Sequence, residues 1–397
     1  MTTTQTRFLT WQPDGRHETG IQWTHVPGFI GATWNPTTGC TRVSPGCDNC
    51  YAFALHDQRH IKNRDAARGV EFTPKEIAEI ERYFPNLNHT QRVRLMEKVE
   101  LPWAKQYDAP FSTVQVLDDF RLELPLRAKT RRAYFVDSMA DLFHEDVDDL
   151  SLTRVFDVME GAPEHIFMVL TKRPERMRDF LRRRRQNAED YAVAWETHQL
   201  PERRTAPAAI AARQWADNPR SNIWLGVSAE DQQRADERIP LLLDTPAAVR
   251  FISAEPLLGS LDLTAIRHDD QFDKTGPQWL NALSGLTYFS DGDPGLRAPH
   301  LDWVIVGGES GPRSRPFDVA WALSLRDQCE AAGVAFFMKQ LGAKPHLAPR
   351  GLEYGITYKG APFTVPGAFV RMKHSHGSDM AEWSEDLRVR EFPIEVA

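Results

Sequence analysis

Six short apolar runs, separated by helix-like stretches, constrain this chain more than any other feature. They are Ala133–Val136, Ile166–Leu170, Ile223–Val227, Val249–Ile252, Trp303–Val306 and Val334–Met338. Each is rich in β-branched or aromatic residues and lacks strict alternation, as strands buried on both faces do. A weaker seventh run lies ahead of them, around Gly28–Trp34. Between the runs, Leu150–Glu160 carries apolar residues near a 3.6-residue period, with Ser151 as N-cap. Glu175–Gln186 follows Pro174, and Val319–Ala332 runs into Gly333, a helix stop. Strand–helix alternation of this kind implies βα units and a parallel sheet. The expected class is α/β: a parallel (β/α) partial or full TIM-like barrel with helical insertions and a small C-terminal extension. An open doubly wound sheet is its main rival.

Spacing divides the chain further. Residues 1–344 read as the barrel, with insertions at about 52–125, 176–220 and 263–300. The first insertion is charged and helical. The last holds the turn-rich Asp291-Gly-Asp-Pro-Gly295. Residues 345–397 read as an extension packed on the barrel, with β-like pieces at Glu353–Lys359 and Ala368–Met372. With 41% hydrophobic and 26% charged residues, a disordered or fibrous chain is excluded. Mean hydropathy is −0.47 and no apolar run approaches the ~18 residues of a membrane span. The first residues, Met-Thr-Thr-Thr-Gln-Thr-Arg, lack a signal-peptide core. The expectation is a cytoplasmic protein. A net charge of −7 argues against a wholly basic nucleic-acid coat but leaves room for a local basic groove.

In parallel α/β folds ligands bind at the C-terminal ends of the strands. The residues following each run are therefore the candidate site: Asp137 and Ser138, Lys172 and Arg173, Ser228 and Glu230, Glu255, Gly307-Gly308-Glu309, and Lys339. Lys172 and Arg173 are suited to a carboxylate or phosphate. Glu255 and Glu309 suit ribose hydroxyls or an amino group. Gly307-Gly308 would let a ligand approach the backbone.

Three of the four cysteines fall within eleven residues, Cys40, Cys47 and Cys50, spaced C-x6-C-x2-C. Gly39, Pro45 and Gly46 make this a turn-rich loop, and a helix is expected to start near Cys50. Four readings compete. The cysteines are ordinary small core residues; or they bind structural zinc with His56 or His60 as fourth ligand; or two form a redox disulfide; or all three hold an iron–sulfur cluster that keeps one iron open. Cys329, on an expected helix beside Leu325 and Ala331, reads as core.

Several stretches together carry a resemblance. They include Ala32-Thr-Trp-Asn-Pro36, Gly39 to Ala52, Phe135 to His144, Val169-Leu-Thr-Lys-Arg-Pro174, Trp224 to Gln232, Arg250 to Gly259, Asp302 to Gly311 and Phe336 to Gln340. A three-cysteine loop after a first weak strand, followed by a βα barrel, resembles the radical S-adenosylmethionine superfamily. Over about residues 21–342 the chain is similar to the three-Cys-motif family of phage- and prophage-associated proteins, whose function is unsettled. The superfamily's usual spacing is C-x3-C-x2-C, and its Gly-Gly-Glu motif follows the second strand, whereas Gly307-Gly308-Glu309 follows a much later one. The resemblance implies that Cys40, Cys47 and Cys50 bind a [4Fe–4S] cluster and that S-adenosylmethionine chelates the open iron. Reductive cleavage would then give methionine and a 5′-deoxyadenosyl radical, with the barrel orienting the cofactor.

For the substrate the basic run Arg182-Arg183-Arg184-Arg185 offers a phosphate-contacting edge for DNA or tRNA, or simply a solvated helix end. Trp195 and Trp215 nearby could stack on bases or pack the insertion. The function expected is a radical enzyme modifying or repairing a nucleic acid or nucleotide, with room for a partner protein. The alternative is a zinc-stabilised, non-catalytic binding protein of phage or mobile-element origin.

Overall fold

The computed structural model describes residues 8–10, 17–196, 220–268, 278–288, 294–297, 299–311, 313–346, 357–358, 361–362, 372–374 and 376–395. Its centre is a seven-stranded sheet of β1 (Ile30–Trp34), β2 (Arg132–Val136), β3 (Ile166–Thr171), β4 (Ile223–Ser228), β5 (Val249–Ala254), β6 (Trp303–Gly307) and β7 (Ala335–Gln340). The strands lie side by side in chain order, and every neighbouring pair is parallel. Strand order never reverses, so the doubly wound alternative is set aside. The sheet curls into a half-barrel; a closed barrel is not formed by the described strands. The far edge of β7 is met by the C-terminal segment, where Met338 N–H donates to the Val389 carbonyl at 2.9 Å and Phe337 bridges Arg390.

Helices α1 (Tyr51–Ala67), α2 (Asp149–Gly161), α3 (Pro174–Glu196), α4 (Gln232–Leu243) and α5 (Val319–Ala332) accompany the sheet. Asp148, not Ser151, caps α2: its carboxylate accepts the Ser151 N–H at 2.8 Å, so the helix starts earlier and Ser151 sits in its first turn. Gly333 ends α5 at φ 68°. The first insertion is mainly helical, with one two-residue strand, Gln115–Val116, paired with Thr37–Thr38. The insertion before β6 holds a small antiparallel sheet of Ile266–His268, Gln278–Asn281, Leu286–Tyr288 and Pro294–Arg297. In the tail, Thr357–Tyr358 pairs with Ala361–Pro362; most of the two expected β pieces there lies outside the described residues.

Alternation along each strand produces two cores. Side chains such as Val136, Phe167, Val169, Leu225, Ile252, Val304 and Val306 face the helical layer. Trp23, Ala133, Met168, Trp224, Phe251, Trp303, Ile305, Phe337 and Phe392 fill the lumen. Trp303 contacts Trp224 and Phe337 edge-on, with centroids 6.0 and 5.9 Å apart. Gly226 makes this packing possible, because a Cβ there would lie 2.5 Å from the Phe251 ring. One step further along the strands the inward positions become Ser228, Ser253, Gly307 and Lys339. The lumen is therefore aromatic at the N-terminal end of the strands and polar at the other.

Candidate functional site

The polar end of the lumen is roofed by the cysteine loop, which leaves β1 and returns as α1. Gly39 sits at φ 92°, where a Cβ would lie 2.3 Å from the Thr113 carbonyl, so only glycine passes this point. The next residue is pinned by a hydrogen bond from Cys40 N–H to the Phe111 carbonyl at 2.9 Å. Pro45–Cys47 forms a 3-10 turn, and Cys50 is the N-cap residue of α1. All three cysteines are free and half-buried, and all three line one cavity of about 330 Å³. Burial pushes the Cys40 thiol up to about 12, Asp141 adds to the rise, and Arg173 opposes it. Cys329 is fully buried on α5, away from the loop, as its sequence neighbours suggested.

The cavity also draws in Asp137, Ser138, Lys172, Arg173, Ser228, Glu255, Gly308, Glu309 and Lys339. These residues play different parts. Arg173 is fully engaged: Nη1 donates to Cys40 Sγ at 3.7 Å and Asp141 Oδ2 at 3.1 Å, Nε to Glu145 at 3.1 Å, and Nη2 to the Thr41 hydroxyl and carbonyl at 2.8 and 3.4 Å. It is a strut for the thiol loop and has no donor left for a ligand's carboxylate or phosphate. Glu309 accepts from Asn49 Nδ2 at 3.1 Å and from Arg315 N–H, Nε and Nη2 at 2.7, 3.0 and 2.7 Å. Burial alone would raise its pKa, but Arg315 and Asn49 outweigh burial and hold it below the usual carboxylate value. Glu230 lies outside the cavity lining, fully buried. It takes Arg238 Nη1 at 2.9 Å and the Gly46 N–H at 3.3 Å. Arg238 and then Lys172 offset its burial and keep it ionised. Glu309 lines the cavity and, with Glu230, docks the thiol loop onto the ends of β6 and β4.

The glycine pair is closely packed. A Cβ on Gly307 would stand 2.4 Å from Glu255 Oε1, and one on Gly308 2.3 Å from the Leu341 carbonyl. The room a Cβ would need is taken by the chain's own atoms, while Gly308 lines the cavity. Glu255 in turn pairs with Lys339 at 3.0 Å and accepts the Ser253 hydroxyl at 3.2 Å. With Lys172 and Ser228, this pair forms the part of the lumen wall available to a bound molecule. Asp137 sits at φ 56°, an uncommon backbone state for a non-glycine residue at a strand end. Its carboxylate accepts Thr37 N–H at 3.0 Å and Thr37 Oγ1 at 2.7 Å, and burial pushes its pKa up to about 7. Sequence reading missed Thr41, Asn49 and Arg315, although Asn49 lies between two of the cysteines.

The fourth zinc ligands weighed from sequence point elsewhere. His56 is buried with Nε2 on the Ala109 carbonyl at 3.0 Å, and His60 Nδ1 meets the Tyr107 carbonyl at 3.1 Å. Among the described residues, no three His, Cys, Asp or Glu side chains gather closely enough to hold a single metal ion. Each arginine of the basic run on α3 has an acidic partner. Arg182 pairs with Asp244, Arg183 with Asp149 at 2.9 Å, Arg184 with Asp157 and Glu160 at 2.7 and 2.8 Å, and Arg185 with Glu189 at 2.9 Å. The Trp195 side chain and Trp215 lie outside the described residues. Among the described helices none is long and apolar enough to cross a membrane.

A family profile described as "Protein of unknown function (DUF5131)" matches residues 18–381. No curated protein and no solved structure matches the chain.

Proposed function

The chain belongs to the DUF5131 family, and from its thiol-roofed lumen we propose that it is an iron–sulfur enzyme of the radical S-adenosylmethionine type. The observation that carries the reading is the convergence of three free thiols on one cavity at the C-terminal mouth of a parallel half-barrel. Cys40, Cys47 and Cys50 would hold a [4Fe–4S] cluster as thiolates, and the loop carries no fourth cysteine. A single zinc ion asks for four donors around one point, and neither His56 nor His60 lines the cavity that the three cysteines line. Held there by Cys40, Cys47 and Cys50, such a cluster would supply one-electron reduction of S-adenosylmethionine, given an external reductant.

The chain's own residues do the rest. Glu230, Glu309 and Arg173 fix the loop. Glu255 with Lys339, Lys172 and Ser228 offer charged and hydroxyl groups to a bound molecule on the wall facing it. Phe135, Leu170 and Trp23 floor the cavity and exclude water from below. A nucleotide or nucleic acid remains the substrate class we favour. It would be recognised at the cavity through Lys172 and the exposed Arg42, which stacks on Phe53 at 4.1 Å, rather than through Arg182–Arg185, which pair with carboxylates of the chain.

The test is anaerobic purification, reconstitution with iron and sulfide, and reduction in the presence of S-adenosylmethionine. Expected are a brown protein and 5′-deoxyadenosine, both lost in the Cys40→Ala, Cys47→Ala, Cys50→Ala triple variant. A colourless protein holding about one zinc per chain would overturn the reading in favour of the structural-metal alternative.

A further inference from the structure

Arg173 is the one cation hydrogen-bonded to a cysteine sulfur among the described residues, and its five donors are divided between two loops. On one side lie Cys40 Sγ and both oxygens of Thr41; on the other lie Asp141 and Glu145 of the β2 exit. Asp141 is itself held rigid: it accepts Thr171 Oγ1 at 2.6 Å, Phe143 N–H at 3.1 Å and Lys172 N–H at 3.1 Å. The guanidinium side chain is only 10% exposed, so solvent screens its charge weakly. Cys47 Sγ, by contrast, faces the neutral Ser44 hydroxyl at 3.9 Å. The Cys40 and Cys47 sulfurs are thus electrostatically unequal.

We propose that Arg173 is a positioning residue that fixes the Cys40 sulfur and raises the reduction potential of the iron–sulfur group. This rests on the reading given above. A cation and a hydrogen bond at one ligand sulfur stabilise the added electron of the reduced state, as hydrogen bonds to cluster sulfurs do generally. Arg173→Gln keeps a donor but removes the charge. Thr41→Val keeps the charge but removes an acceptor that orients Nη2.

The experiment is a redox titration of the reconstituted protein followed by visible absorbance, with iron and sulfide counted per chain and folding checked by thermal unfolding. Expected is a more negative midpoint in Arg173→Gln at undiminished iron content, with a smaller shift of the same sign in Thr41→Val. An unchanged midpoint in a folded, fully loaded Arg173→Gln overturns the proposal and leaves the enzyme reading intact. If Arg173→Gln unfolds or loses iron, an unchanged midpoint in Thr41→Val overturns it instead. A wild-type chain that takes up no cluster overturns both.

Discussion

Glu309 shows how a residue at the mouth of a barrel can serve the chain before it serves any ligand. Its side chain is 7% exposed and accepts four hydrogen bonds from Asn49 and Arg315. Removing it leaves those donors facing a buried void, which typically costs about 1–3 kcal/mol. Glu309→Ala should therefore lower the urea midpoint clearly, while Lys172→Ala, which breaks no hydrogen bond, stays within about 0.5 kcal/mol of wild type. Equal midpoints for the two would leave Glu309 a role in ligand binding alone. Titratable residues at this scale also set a pH dependence. His25, His56, His144 and His165 are held below 6.5, in each case chiefly by burial. Below 6.5 the unfolded chain binds protons that the folded one refuses, so their contribution falls as pH drops. Asp137 works oppositely. Raised from 3.8 to about 7, it keeps a proton the unfolded chain releases, and its contribution grows as pH drops through that window. His165 accepts Arg132 N–H at Nδ1 and meets the Pro125 carbonyl at Nε2, an arrangement that needs the neutral ring. Melting curves between pH 7 and 5.5 should show a shallower loss in His165→Gln and a steeper one in Asp137→Asn. Wild-type slopes in both variants would refute this assignment of charges.

At the scale of elements, the strands were legible because burial on both faces forces continuous apolar runs. The weak first run also formed a strand, Ile30–Trp34, since its neighbour β2 supplies the pairing. The antiparallel sheet before β6 was not legible. Its strands are three or four residues long, and their partners are set by turns rather than by periodicity. The strand Glu391–Glu395 escaped for a related reason: it sends only Phe392 and, partly buried, Ile394 to the lumen and gives no continuous run. At the site, the cysteine spacing announced the loop, but the roles of Arg173 and Glu309 depended on partners far along the chain. Asn49 lies 260 residues from Glu309, and no local pattern encodes that meeting. The element best tested is the β4–β5 contact. Gly226→Ala would press a methyl into the Phe251 ring at 2.5 Å, and overpacking of a full core costs about 1–3 kcal/mol. Adding Phe251→Leu should recover part of that loss, so the double variant unfolds later in denaturant than additivity allows. Strict additivity would mean that the ring is not what fills the space.

For the molecule as a whole, the lumen's two ends separate stability from chemistry. The closed end is sealed by parts from both ends of the chain. Trp23 enters from the short helix Gln22–Thr24, and Phe392 from the strand that pairs with Phe8–Thr10. Trp303 Nε1 donates to the Glu391 carbonyl at 2.8 Å, and Arg390 Nε donates to the Met338 carbonyl at 2.9 Å, so this strand also covers the open edge of β7. The struts of the thiol loop lie at the opposite end, on the exits of β3, β4 and β6. A void at the sealed end should weaken the fold without loosening the loop. Phe392→Ala removes a fully buried ring and should cost about 3–5 kcal/mol, with Phe392→Leu costing less because it refills part of the volume. Below its melting temperature the Phe392→Ala protein should still take up iron and sulfide at the wild-type ratio, since Arg173, Glu230 and Glu309 keep their partners. Loss of iron uptake from a folded Phe392→Ala chain would show that the two ends of the half-barrel are coupled, and that the apolar floor shares in holding the thiols.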